Sequence, residues 1–125
     1  MSYKILIVED SKTMRSMITT TLGEFEDYEV IEAASGFDAM RELPRMKFDL
    51  IITDINMPNI NGLELVSFVK SNENYRDIPI IIVSTEGSQR DREKGLGLGA
   101  NEYLVKPFDP DELQKMVQKL LGRAE

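Results

Sequence analysis

Five times along this chain a short apolar run is followed by a longer stretch whose apolar residues return at helical spacing. KILIVE (residues 4–9), YEVIEA (28–33), DLIIT (49–53), IPIIIVS (78–84) and EYLV (102–105) have the length and composition of strands. After Ser11, the residues Met14, Met17, Ile18, Leu22 and Phe25 share one helical face. Ser35 and Asp38 have capping-box spacing and open a second helix, which Pro44 ends or kinks. GLELVSFVKS (62–71) is the third helix. The fourth (88–97) is diluted by Gly95 and Gly97, each costing about 1 kcal/mol relative to Ala inside a helix. Its apolar anchors are Leu96 and Leu98. Asp109 and Pro110 open a last helix with Leu113, Met116, Val117, Leu120 and Leu121 on one face. Met14, Met17 and Met116 read as core.

Strands that alternate with helices form a parallel sheet covered on both faces. The expected class is α/β, a doubly wound five-stranded sheet, and one domain over residues 1–125. Strands one, three and four are almost wholly apolar, as strands buried on both faces are. Strand two carries Glu29 and Glu32 and strand five is short, so these two are the expected edges. The flavodoxin-like order 2-1-3-4-5, taken over from known folds, satisfies that placement.

Composition removes several classes of function. The chain has 125 residues and neither Cys nor His. Disulfides, thiolate or imidazole metal sites and a Ser-His-Asp triad are excluded, and the lack of Cys suits a reducing cytoplasm. A formal charge of −7 opposes nonspecific binding of nucleic acid. The apolar runs are too short to cross a bilayer. A monomer in the cytoplasm, away from membrane and nucleic acid, is expected.

The residues that close the strands carry the chemistry. They are Glu9-Asp10, Asp54, Ser84-Thr85 and Lys106-Pro107, whereas strand two ends on Ala33-Ala34. In an open parallel sheet these ends share one rim, where ligands bind. Three carboxylates facing one ammonium repel each other unless a cation joins them. An oxygen-only donor set with few ligands suits Mg²⁺. Phosphoryl transfer needs such a constellation. Asp54, after the central strand, is the expected nucleophile. Lys106 and Mg²⁺ are expected to hold the phosphoryl oxygens, with Ser84 bonded to one of them. One competing reading is an aspartate-nucleophile phosphatase. It lacks the usual second Asp two residues on, because that position is Asn56. A flavodoxin-like cofactor binder is the other, and VEDSKT offers it no glycine-rich phosphate cradle.

LIVEDS, DLIITDINMPNINGLEL, PIIIVST and GANEYLVKPF occur in this order, and through them nearly the whole chain resembles a response-regulator receiver domain. DSKTMR, DINMPNINGLEL and the pair Asn56 with Glu86 are most similar to single-domain chemotaxis regulators. The resemblance implies Asp54 as phosphoacceptor, with a histidine kinase as donor. It implies Mg²⁺ on Asp10, Asp54 and the Asn56 carbonyl, with Glu9 acting through water. Lys106 would contact the phosphoryl group and Ser84 would be the switch hydroxyl. Tyr103 would be the aromatic that follows it, turning inward on phosphorylation. A cis Lys106–Pro107 bond, a packed turn at Met57-Pro58 and Gly62, and an output surface of helix four, strand five and helix five are implied too. The flagellar motor switch would be its target; a receiver in a non-chemotaxis phosphorelay is the alternative. Two positions depart from the chemotaxis pattern: Glu9 stands where many members have Asp, and Thr85 where they often have Ala. The polar, glycine-rich GSQRDREKGLGLG differs as well.

Overall fold

A computed structural model describes residues 2–122. Its elements are β1 (Tyr3–Val8), α1 (Lys12–Leu22), β2 (Tyr28–Ala33), α2 (Gly36–Glu42), a 3-10 turn (Leu43–Arg45), β3 (Leu50–Thr53), α3 (Gly62–Ser71), β4 (Ile80–Ser84), α4 (Gln89–Gly97), β5 (Glu102–Val105) and α5 (Pro110–Leu120). The five strands are parallel, in the order β2-β1-β3-β4-β5. The expected doubly wound, flavodoxin-like α/β fold is the observed one.

Strand texture follows burial. Every residue of β3 and β4 is buried, whereas β2 exposes Glu29 and Glu32 along one edge. The alternation of side chains sorts each central strand between two cores. Ile5, Ile7, Ile52, Ile81 and Val83 pack with Ile18 and Leu22 of α1 and Leu113 and Val117 of α5. Leu6, Val8, Ile51, Ile80 and Ile82 face Ala39 of α2 and Leu65, Val66 and Val69 of α3. Burial on both faces leaves only the strand ends for polar chemistry.

Caps set the helix starts. Ser11, Ser35, Asn61, Ser88 and Asp109 each accept a backbone N–H of the following turn. Asn61 and Glu64 form the reciprocal capping box. Ser35 accepts from Asp38 N–H, and α2 gives way to the 3-10 turn that holds Pro44.

Three packing expectations are corrected. Met17 is 39 % exposed, because its position on α1 turns away from the sheet that buries Ile18. Phe25 lies beyond α1, which ends at Leu22, and packs on the Tyr28 ring with centroids 5.1 Å apart. Leu96 and Leu98 do not anchor α4: both are exposed, and of that helix only Gly95 is buried. Strands one, three and four start or stop a residue or two from the expected bounds; Pro79, which has no N–H to donate to a ladder, precedes β4.

Neighbouring residues of α1 should therefore respond differently to truncation. Ile18→Ala is expected to cost about 2–5 kcal/mol, and Met17→Ala to stay within about 0.5 kcal/mol. Urea unfolding midpoints at an unchanged slope read both.

Candidate functional site

β3 delivers Asp54 to the rim, and the loop after it fixes the carboxylate. Asp54 is buried; its Oδ1 accepts the Ile55 N–H at 2.7 Å, and its backbone carbonyl accepts the Thr53 hydroxyl at 2.9 Å. The loop then folds back on itself. Met57 and Gly62 both donate their N–H to the Ile55 carbonyl, at 3.1 and 2.9 Å. Met57 tucks into the core, which answers why a loop holds this apolar residue, whereas Pro58 stays exposed. Asn59 takes a left-handed conformation (φ 69°), which Asn tolerates better than most residues. Gly62 is required by close approach: a Cβ there would lie 1.9 Å from the Asp54 carbonyl oxygen.

The other acids arrive from β1. Glu9 is buried and Asp10 exposed, and carboxylate oxygens of Glu9, Asp10 and Asp54 lie within 4.8 Å of one another. Lys106, following β5, reaches between two of them. Its Nζ donates to Glu9 Oε1 at 2.9 Å and to Asp54 Oδ2 at 3.3 Å. The Lys106–Pro107 bond is cis, as expected. Glu9 Oε2 also accepts the Ser11 N–H, and the Glu9 carbonyl accepts Arg15 Nη1.

Burial raises the Glu9 carboxyl above the usual range, and the Asp54 charge pushes the same way, against the bonds from Lys106 and Ser11. Burial alone would lower the Lys106 ammonium. The hydrogen bond to Glu9 and the Asp54 charge outweigh it, and the group is held above its ordinary value. Both groups shift upward, which disfavours the charged carboxylate and favours the charged ammonium: burial outweighs the one cation beside Glu9, whereas the two anions beside Lys106 outweigh burial. Three carboxylates against one ammonium leave negative charge to spare. The donors are all oxygen, so the cluster fits a hard divalent cation.

Ser84, Asn56 and Tyr103 meet elsewhere, on Glu86. The Ser84 hydroxyl, fully buried, accepts the Glu86 N–H at 3.0 Å. Asn56 Nδ2 donates to Glu86 Oε1 at 3.1 Å. The Tyr103 hydroxyl donates to the Glu86 carbonyl. The Tyr103 ring is 2 % exposed, so the inward position expected to follow phosphorylation is the one observed. Its hydroxyl is shifted upward, chiefly by burial. Glu86 was legible in sequence only as a partner of Asn56; its backbone role depends on the β4–α4 connection. Arg15, the last residue of DSKTMR, ties α1 to Glu9 and to Glu32 of β2, a role the motif does not reveal.

A doubly wound sheet with buried acids and a lysine on its carboxyl rim defines an α/β domain with a charged site at its strand ends, and the comparisons give its family. Residues 5–118 match the response regulator receiver domain family. A Chemotaxis protein CheY homolog from Campylobacter jejuni is 42 % identical, over 95 % of this chain and 92 % of its own. The structure of chemotaxis protein CheY4 from Vibrio cholerae superposes with a TM-score of 0.88 at 38 % identity, covering 96 % of this chain and 99 % of that one. The receiver domain of a Pseudomonas aeruginosa sensor histidine kinase, with a magnesium ion coordinated in its active-site cleft, gives a TM-score of 0.88 at 34 % identity, over 98 % and 99 % of the two chains. The chain belongs to the response regulator receiver domain family.

The contact at Gly62 makes it the most exacting position of the loop. Gly62→Ala is expected to cost about 1–3 kcal/mol or more, since backbone rather than a flexible side chain must move. Chemical denaturation checks it.

Proposed function

We propose that this chain, as a single receiver domain over residues 1–125, is a phosphorylation-controlled switch of a two-component system. The observation that carries the reading is the Lys106 ammonium set between Glu9 and Asp54 beside Asp10. Asp54 is the phosphoacceptor. With no His in the chain, the donor is the phosphohistidine of a separate histidine kinase. An Asp54 carboxylate oxygen attacks phosphorus and forms the acyl phosphate, while the N–P bond breaks and the imidazole nitrogen keeps the electron pair. Lys106 passes from the Asp54 oxygen to a phosphoryl oxygen and offsets its charge. Asp10, Asp54 and the Asn56 carbonyl, with Glu9 through water, would hold Mg²⁺, which supplies charge neutralisation at the phosphoryl group. Domains of this kind act as switches rather than turnover enzymes. Asn56, two residues after Asp54, cannot serve as the acid and base that a phosphatase needs there.

Output follows from the Glu86 peptide. A Ser84 hydroxyl drawn to a phosphoryl oxygen must release the Glu86 N–H, and the carbonyl of Glu86 holds the Tyr103 hydroxyl. The signal thereby reaches α4, the element with the weakest hold on the core. The surface read by a partner is α4, β5 and α5, including Phe108, and the buried Tyr103 bears on it from beneath α4. Similarity to chemotaxis proteins supports a role in chemotaxis, and the reading proposed is a cytoplasmic monomer acting on a downstream protein, the flagellar motor switch.

Incubation with a small phosphodonor and Mg²⁺ should place one phosphoryl group on Asp54, mapped by mass spectrometry. Asp54→Asn or removal of the metal should abolish it; full labelling in either case would refute the assignment. With a phosphoryl mimic bound, amide exchange over residues 88–98 should change. Unaltered protection there, at demonstrated occupancy, would place the output on another face.

A further inference from the structure

The position of Tyr103 depends on what lies beside it. Tyr103 is on β5, in register with Ile82 of β4, and α4 crosses over both. Gly95 is where that helix meets the sheet. A Cβ on Gly95 would lie 2.8 Å from Ile82 Cδ1 and 3.3 Å from two carbons of the Tyr103 ring. The first distance is closer than real contacts allow, and the second already demands that the ring give way. The inward ring therefore fits because residue 95 has no side chain. One turn earlier, the Arg92 guanidinium lies 5.9 Å from the ring centroid and covers its outer side. The Glu86 carbonyl takes the hydroxyl. Each of these contacts belongs to the chain itself, and none uses the Asp54 carboxylate.

Gly97, two residues on, separates this from ordinary helix propensity. A Cβ there would meet nothing within 4 Å. The two glycines weaken the helix alike, but only one is a packing requirement.

We infer that Gly95, with Arg92 as cover, positions Tyr103 inward independently of Asp54, so that α4 rather than the ring is the variable part of the output surface. That consequence for signalling rests on the switch function proposed above; the packing claim does not. Gly95 and Arg92 are positioning residues. They touch no reacting atom, and they decide whether the aromatic ring is part of the surface a partner meets.

Fluorotyrosine labelling tests this in the unmodified protein. The chain has 4 Tyr, and the Tyr103 resonance is assigned by its loss in Tyr103→Phe. A neutral soluble gadolinium chelate then reports exposure of each ring by fluorine relaxation. In the wild type, Tyr103 should be protected. Gly95→Ala should raise its relaxation several-fold, towards that of the half-buried Tyr75, with the other tyrosine shifts unchanged. Gly97→Ala should leave it protected. Adding Ile82→Val to Gly95→Ala removes the atom at 2.8 Å and should restore much of the protection. Arg92→Ser, at an exposed site, should raise relaxation by less, and this variant decides the matter if Gly95→Ala does not fold. An exposed Tyr103 in the wild type, equal protection in Gly95→Ala, equal exposure in Gly97→Ala, or no effect of Arg92→Ser would overturn the inference. These readings need no phosphoryl transfer, so they stand or fall separately from the Asp54 mass-spectrometric result.

Discussion

A carboxylate taken almost wholly out of water costs several kcal/mol unless a cation and hydrogen-bond donors face it. Glu9 and Asp54 are both in that position, and one ammonium, Lys106, answers both. Its two partners are 97 and 52 residues away in sequence. The parallel sheet in the observed order brings the ends of β1, β3 and β5 to one rim, close enough for a single side chain to reach both acids. The sheet in turn needs helices on both faces, because its central strands are apolar on both sides. The charged cluster and the doubly wound architecture are thus one requirement: the core that excludes water from the faces confines polar groups to the rim.

The two sides of that rim are held with unequal strength. The β3–α3 loop is fixed by paired N–H bonds to the Ile55 carbonyl, by the buried Met57 and by a helix start with a complete capping box. α3 then buries Leu65, Val66 and Val69. Across the site, α4 buries a single glycine and leaves its leucines in solvent. A firm β3–α3 side keeps Asp54 in place, whereas a lightly held α4 has little to lose by moving. Such asymmetry suits the proposed switch, in which a local bond rearrangement at Ser84 and Glu86 would reach a surface. Local stability follows buried apolar contact, and α4 is low by that measure.

Much of this is readable in the amino-acid order alone. The alternation of apolar runs and amphipathic stretches establishes the strands, the helices and the parallel sheet, because side-chain periodicity has to match the geometry that buries it. The texture of β2 and β5 marks them as edges. Glu9, Asp10, Asp54 and Lys106 stand out because each closes a strand, and strand ends in a parallel sheet share a rim. Local chemistry at helix starts is legible for the same reason: a cap and the N–H it accepts are neighbours in sequence.

What tertiary structure decided are matters of which side chain faces what. Met17 and Ile18 are adjacent, equally apolar and oppositely placed, and only the sheet beneath α1 tells them apart. Gly95 and Gly97 look alike as helix diluents. Packing makes Gly95 the seat of Tyr103 and leaves Gly97 facing open space. Gly62 reads as a turn residue, yet what excludes a side chain there is the Asp54 carbonyl eight residues earlier, met only after the loop closes. Glu86 joins Ser84 and Tyr103 through backbone groups that every residue possesses, and Asn56 through its carboxylate. Sequence determines what must be buried and where polar chemistry can survive. The direction of a helix face, the contact around a missing Cβ and the use of a backbone carbonyl arise only from the docking of distant elements, because none of them depends on side-chain type alone.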